Sequence, residues 1–188
     1  MAEIDYGFNE DFRAVLITSE DTSISWDHCS FEKCQFEGSF NGLTLTDCTF
    51  RECDFSNAAF EYSSWFRCLA EASKATGCSL DYARLKQVEF NECQGQYLHC
   101  FKGNLEKTVF KRCSLNGSGF RALVKNGVTF SECDIDGMDL EETDLKGIDV
   151  SSSFFGTLRF HPDKLGGFMI NAVQAEQLIR SFNVIVKE

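Results

Sequence analysis

Proline is almost missing from this sequence, with one residue in 188, so a surface built from proline-rich loops and linkers is excluded. Basic charge is also scarce. Eighteen Lys and Arg face 29 Asp and Glu, for a net charge of -11, and a general basic field for gripping a phosphate backbone is absent. No apolar run reaches the roughly 18 residues of a membrane-spanning helix. The opening MAEIDYGFNEDF has neither a basic stretch nor an apolar one of the signal-peptide kind, so the ten cysteines are expected as free thiols in a cytoplasmic protein. Only three histidines occur, His28, His99 and His161. They are far apart, and no Ser-His-Asp arrangement, H-E-x-x-H or glycine-rich phosphate loop accompanies them. His99-Cys100 is the one conceivable thiol-imidazole pair. Catalysis, a metal and a cofactor are therefore not expected.

What the chain has in quantity is phenylalanine, 19 residues, placed by a rule. In TFSECDIDGMDLEETDLKGIDV, residues 129–150, large apolar side chains fall at Phe130, Ile135, Leu140, Leu145 and Val150. Two places earlier stand Val128, Cys133, Met138, Thr143 and Ile148. A spacing of five fits neither an α-helix nor a strand, so it marks a structural repeat. The rule begins at Ile24 with Trp26, Phe31 and Phe36, slips by one, and from Phe40 to Phe160 puts the large residue on multiples of five. Ala70, Ala75, Gly95, Cys100 and Lys125 break it. LAEASKATG after Cys68 contains good helix formers, and a looped-out segment there is an alternative. Every cysteine but Cys100 sits at the companion position. That placement is unlike a C-x-x-C metal site and reads as small side chains filling a narrow interior.

Units such as CDFSN, CSLNG, CDIDG, MDLEE and TDLKG resemble the pentapeptide-repeat pattern A-(D/N)-L-x-x. The resemblance implies an all-β solenoid, a right-handed quadrilateral β-helix with four pentapeptides per turn, over about residues 24–160. Residues twenty apart then stack, with Phe90, Phe110 and Phe130 in one ladder and Cys93, Cys113 and Cys133 in another. About seven coils would make a rod roughly 34 Å long at strand spacing. Residues 1–23 are left as an N-terminal cap, closing the first open edge as a strand or other capping segment. Residues 161–188 break the rule. His161-Pro162 and Gly166-Gly167 signal turns, Asn171 is placed to cap a helix, Ala175, Leu178, Ile179 and Phe182 share a helical face, and Val184 to Val186 reads as a strand.

This tail, with Gln174-Ala175, Leu178 and the final apolar segment, resembles the topoisomerase-protecting pentapeptide-repeat proteins: the Qnr-type quinolone-resistance, albicidin-resistance and microcin B17 immunity proteins. The resemblance implies a homodimer joined through Ala175, Leu178, Ile179, Phe182, Val184 and Val186. It also implies a DNA mimic that binds DNA gyrase, with topoisomerase IV as a second target, and binds neither nucleic acid nor membrane itself. The bland alternative for the helix is a cap on the last coil, and for the function a scaffold for some other basic protein. Charge distribution indicates the contact surface: residues 121–160 hold eight acids and four bases. The acids are Glu132, Asp134, Asp136, Asp139, Glu141, Glu142, Asp144 and Asp149. Lys102, Lys107, Lys111 and Arg112 form a basic patch in mid-chain.

Overall fold

The computed structural model describes residues 6–19, 25–182 and 184–185; Ile4, Ile24 and Val186, which figure in the sequence pattern, lie outside them. The chain winds as a parallel β-solenoid with four walls. Two walls are seven-stranded parallel sheets. One contains Tyr6–Phe8, Ser25–Asp27, Thr44–Thr46, Ser64–Phe66, Arg84–Lys86, Asn104–Glu106 and Val124–Asn126; the other runs from Asp11–Arg13 to Thr129–Ser131. The remaining two are held mainly by single bridges such as Asp54 to Lys74 to Gln94 and Ser79 to His99 to Gly119. Among the described residues most backbone rungs find their partner in the neighbouring coil, as parallel pairing requires.

The spacing of five follows from one short extended segment per wall. Its central side chain points in, its two flanks point out, and a corner follows. From Phe40 to Leu145 the corners put the second residue after the centre in the left-handed region, as at Asp47, Glu52, Asn57, Tyr62 and Arg67. The residue two places before the centre also points inward, and its chemistry is more than small size. In Cys113, Cys133, Thr143 and Ser153 the side chain donates to the carbonyls of Phe90, Phe110, Phe120 and Phe130 in the coil above, at 3.3, 3.3, 2.9 and 2.8 Å. It also accepts: Cys133 N–H reaches Ser153 Oγ at 3.0 Å, and Cys113 N–H reaches Cys133 Sγ at 3.4 Å. Cysteine, serine and threonine thus satisfy corner amides that have no backbone acceptor. Burial pushes the thiols of Cys53 and Cys78 up to about 12, which keeps them protonated and able to donate.

Within the bore the ladders form as the spacing predicts. Phe90, Phe110 and Phe130 stack at 4.9 and 5.1 Å, within 8° of parallel. The segment after Cys68 is not looped out. Leu69–Glu71 pairs on both sides, Ala70 lying between Phe50 and Phe90. A small residue is tolerated there because the Trp65 indole fills the space, 5.5 Å from Phe50 and 6.3 Å from Phe90. Lys125 occupies an inward position between Leu105 and the coil below, half buried, and its ammonium donates to the Lys146 carbonyl. Burial lowers its pKa. The frame slip is absorbed at Gly38, which turns at φ 104°: Gln35 still pairs with Asp54, whereas Ser39 pairs with Ala59.

Coil-to-coil pairing also extends beyond the stretch where the pattern is visible. Residues 6–19 already pair with the second coil, Phe12 stacking on Phe31 at 4.8 Å and Ile17 fully buried. The five-residue rule is hidden there because Gly7 takes a large-residue position, packed so closely on Trp26 that a Cβ would lie 2.4 Å from its ring. At the other end a bridge joins Asp149 to Met169. A capped 3-10 turn, Pro162–Lys164, and the helix α1, Ala172–Ser181, follow the walls. Val184 and Ile185 are not in a strand, contrary to their apolar pattern: both are exposed, and no described strand pairs with them.

Gly147 isolates the cost of a corner. Its φ is 78°, and a Cβ there would meet nothing within 4 Å. Gly147→Ala is therefore expected to lower stability by about 1 kcal/mol through backbone strain alone, read as a shift in the urea midpoint with an unchanged slope.

Candidate partner-binding surface

The eight acids of residues 132–149 come from about one coil and spread over its circumference. They do not converge on a point. Glu132, Glu142 and Asp144 are exposed, while Asp134, Asp136, Asp139, Glu141 and Asp149 are half buried. Several carboxylates also build the corners. Asp134, Asp139, Asp144 and Asp149 each accept the N–H two residues on, at 3.2, 3.0, 3.0 and 2.9 Å, the Asx geometry that closes a turn. The pattern letter D beside the large residue signals this role, which the charge count alone overlooks.

Asp136 is the most engaged. One oxygen accepts from the N–H groups of Gly156 and Thr157 at 2.9 and 2.7 Å and from the Thr157 hydroxyl at 3.1 Å. The Thr157 amide, more than any other group, holds its carboxyl below the usual range. Arg121 meets Glu142 at 2.9 Å and Asp139 at 3.9 Å, and Arg159 lies 3.9 Å from Asp139. Among the described residues, Glu132 and Glu141 hold neither a cation nor a backbone amide through their carboxylates. These two are the acids least committed to the fold.

Helix α1 divides the predicted dimer residues. Its capping box is complete: Asn171 accepts from Gln174 N–H at 2.9 Å, and Gln174 Oε1 accepts from Asn171 N–H at 2.8 Å. Gln174 is buried and its amide donates to the carbonyls of Val150 and Ser153 at 2.8 and 2.6 Å, closing the open end of the last coil. Leu178 packs with the core of its own chain, and Ala175 is half buried. The apolar face therefore belongs partly to the cap. Ile179, Phe182 and Val184 are exposed at 43%, 43% and 51%, with Phe182 edge-on to Phe160 at 5.9 Å. Val173 and Ile185, both more exposed still, were not singled out by the helical pattern.

His99 is exposed and Cys100 fully buried, because neighbours in an extended segment point to opposite sides, so no thiol-imidazole pair forms. Asp27, His28 and Asp47 approach one another closely enough for a metal. Both Asp47 oxygens, however, are taken by Arg67, which depresses that carboxyl. A shallow recess of about 380 Å³ beside Gly38 is lined by Gln35, Glu37, Asp54, Ser56 and Asn57, and no histidine or lysine lines it to activate the Ser56 hydroxyl. Among the described residues no helix is long and apolar enough to cross a membrane.

Residues 43–120 match the family described as a pentapeptide repeat region. Curated protein sequences yield no match. Among solved structures, full-length QnrB1, a plasmid-mediated fluoroquinolone resistance protein, is 16% identical, with 95% of this chain and 100% of that one covered and a TM-score of 0.32. Rfr23 from the cyanobacterium Cyanothece 51142 is 7% identical, with 89% and 92% covered and a TM-score of 0.39. HetL, involved in heterocyst differentiation regulation in Nostoc sp. strain PCC 7120, is 12% identical, with 87% and 86% covered and a TM-score of 0.27.

Asp136 yields a pH prediction. A carboxyl depressed in the folded state contributes stability above its unfolded pKa, near 3.9, and that contribution fades as pH falls through the folded value. Asp136→Asn should therefore cost about 1–2 kcal/mol at pH 7. Measured by thermal melts, the gap from wild type should close on acidification below about pH 4.

Proposed function

We propose that this pentapeptide-repeat protein is a DNA mimic that binds DNA gyrase, with topoisomerase IV as a second target, and shields it from quinolone-type drugs or peptide toxins. The observation that carries this reading is the collar of carboxylates at residues 132–149, exposed or half buried on several sides of the solenoid. Residues 121–160 carry eight acids and four bases on two coils, a rise of about 10 Å. That is one net negative charge per about 2.5 Å, against one per about 1.7 Å in duplex DNA. A basic groove shaped for DNA would meet a comparable field and a rod with no scissile bond.

The proposed protection is steric and electrostatic, and steering by the collar weakens with salt. The tail resemblance supports a homodimer, and the exposed Val173, Ile179, Phe182, Val184 and Ile185 supply an apolar patch for it. Two rods joined there would set both collars beside the dyad.

Supercoiling and cleavage assays on gyrase test this directly. The wild-type protein should restore supercoiling in the presence of a quinolone or peptide toxin. Glu132→Lys combined with Glu141→Lys should raise the concentration required by about tenfold or more, with an unchanged melting temperature. No effect of the wild type on supercoiling, cleavage or drug sensitivity at micromolar concentration would leave a scaffold for another basic protein.

The dimer has its own test by light scattering. Ile179→Asp should give a folded monomer, whereas Leu178→Asp should lower the melting temperature by unseating the cap. A monomeric wild type would end the dimer proposal.

A further inference from the structure

The wall holding Thr44–Thr46 through Val124–Asn126 has a different character from the collar. Along its leading corner Tyr62 and Tyr82 stack at 4.8 Å, 3° from parallel. Tyr82 meets Phe101 edge-on at 5.7 Å, and the Lys102 ammonium lies 5.1 Å from the Phe101 ring centre. Tyr62 remains 62% exposed: the corner residue above it is Gly42, whose N–H pairs with the Glu61 carbonyl, so no side chain covers the outer ring face. Arg84, Lys102 and Lys107 are exposed on the same wall or its two corners. Among the described residues none of these three is in an ion pair, whereas the wall's Arg67 and Lys86 are paired with Asp47 and Glu106. In a chain of net charge -11, three unpaired cations beside a stacked aromatic ridge form a local reversal of sign.

We propose that this wall is a docking surface for an extended acidic segment of a partner protein, its carboxylates meeting Arg84, Lys102 and Lys107 and an apolar or aromatic side chain lying on the open face of Tyr62. Charge complementarity sets the sign of the occupant. Aromatic rings with open faces beside cations are the groups that dominate protein interfaces. Length decides between an acidic peptide and a nucleic acid. From Tyr62 to Lys102 is two coil steps, about 10 Å, the reach of three or four extended residues. A nucleic acid strand continuing past this stretch would run onto the acids at 132–149, while a short peptide stays within the cationic coils. This site is separate from the collar, and its test involves no topoisomerase.

Fluorescence anisotropy with the full chain supplies that test, using as probes a labelled peptide of Glu and Asp with one Trp, the same peptide with Lys for the acids, and an oligothymidylate. The acidic peptide alone should bind, with an affinity that falls as salt rises. Arg84→Glu, Lys102→Glu and Lys107→Glu together should weaken it by about tenfold or more, and Tyr62→Ser should weaken it while leaving the salt dependence unchanged. Lys74→Glu, on another wall, should have no effect. If the triple variant does not melt cooperatively, Lys102→Gln and Lys107→Gln singly should each weaken binding. No binding of the acidic peptide, equal weakening by Lys74→Glu, or preference for the oligothymidylate would overturn the proposal. So would self-association of the chain that the same charge reversals abolish.

Discussion

A coil of this solenoid cannot satisfy its own backbone. Its extended segments are too short and too far apart to pair with one another, so nearly every N–H and C=O must find a partner one coil away. From Ser39 onward that partner is twenty residues distant, and much else follows from this register. Corners must recur every five residues and turn through the left-handed region. Corner amides without a backbone acceptor must be met by the side chain below, which is why Cys, Ser and Thr share the companion position. The ends, where no further coil exists, need substitutes: Gln174 donates to two carbonyls that a next coil would otherwise have met.

Because burial follows the register, the period of five was legible in the amino-acid order over more than a hundred residues, together with the identity of the ladders. What was not legible has local causes. Gly7 conceals the first coil, since a close approach to Trp26 demands the loss of the side chain that would have announced it. Ala70 looks like a break but is offset by Trp65, a compensation between neighbouring walls that no one-dimensional pattern contains. Asn171 announced the helix start correctly. The helical face did not separate Leu178, packed into its own chain, from Ile179, turned outward, because both are apolar and adjacent.

The carboxylates show why a count of charges is a blunt guide to a surface. Asp136 and Asp149 are held by backbone amides and are part of the turn chemistry, whereas Glu132 and Glu141 owe nothing to the fold. Both kinds contribute to the field around the rod, since a capped aspartate remains ionised. Substituting a capped aspartate changes shape and charge together; substituting a free glutamate changes charge alone. The distinction comes from hydrogen bonds, and the repeat pattern anticipates it in part through the Asp that precedes Ile135, Leu140, Leu145 and Val150.

A solenoid also separates surfaces in a way a compact domain does not. Each wall is a stack of equivalent positions, so one ladder can accumulate a single kind of side chain without affecting the bore. The Tyr62 and Tyr82 stack is such a ladder, fixed by the same coil spacing that stacks Phe90 on Phe110 inside. The backbone register orders both, but only the inner ladder excludes water and holds the fold. The outer one gains little for stability at that exposure, and its rings sit beside cations that hold no ion pair among the described residues of an acidic chain. An aromatic and cationic ridge that the fold does not require, on a rigid wall distinct from the collar, is the arrangement expected of a rod that engages more than one kind of surface.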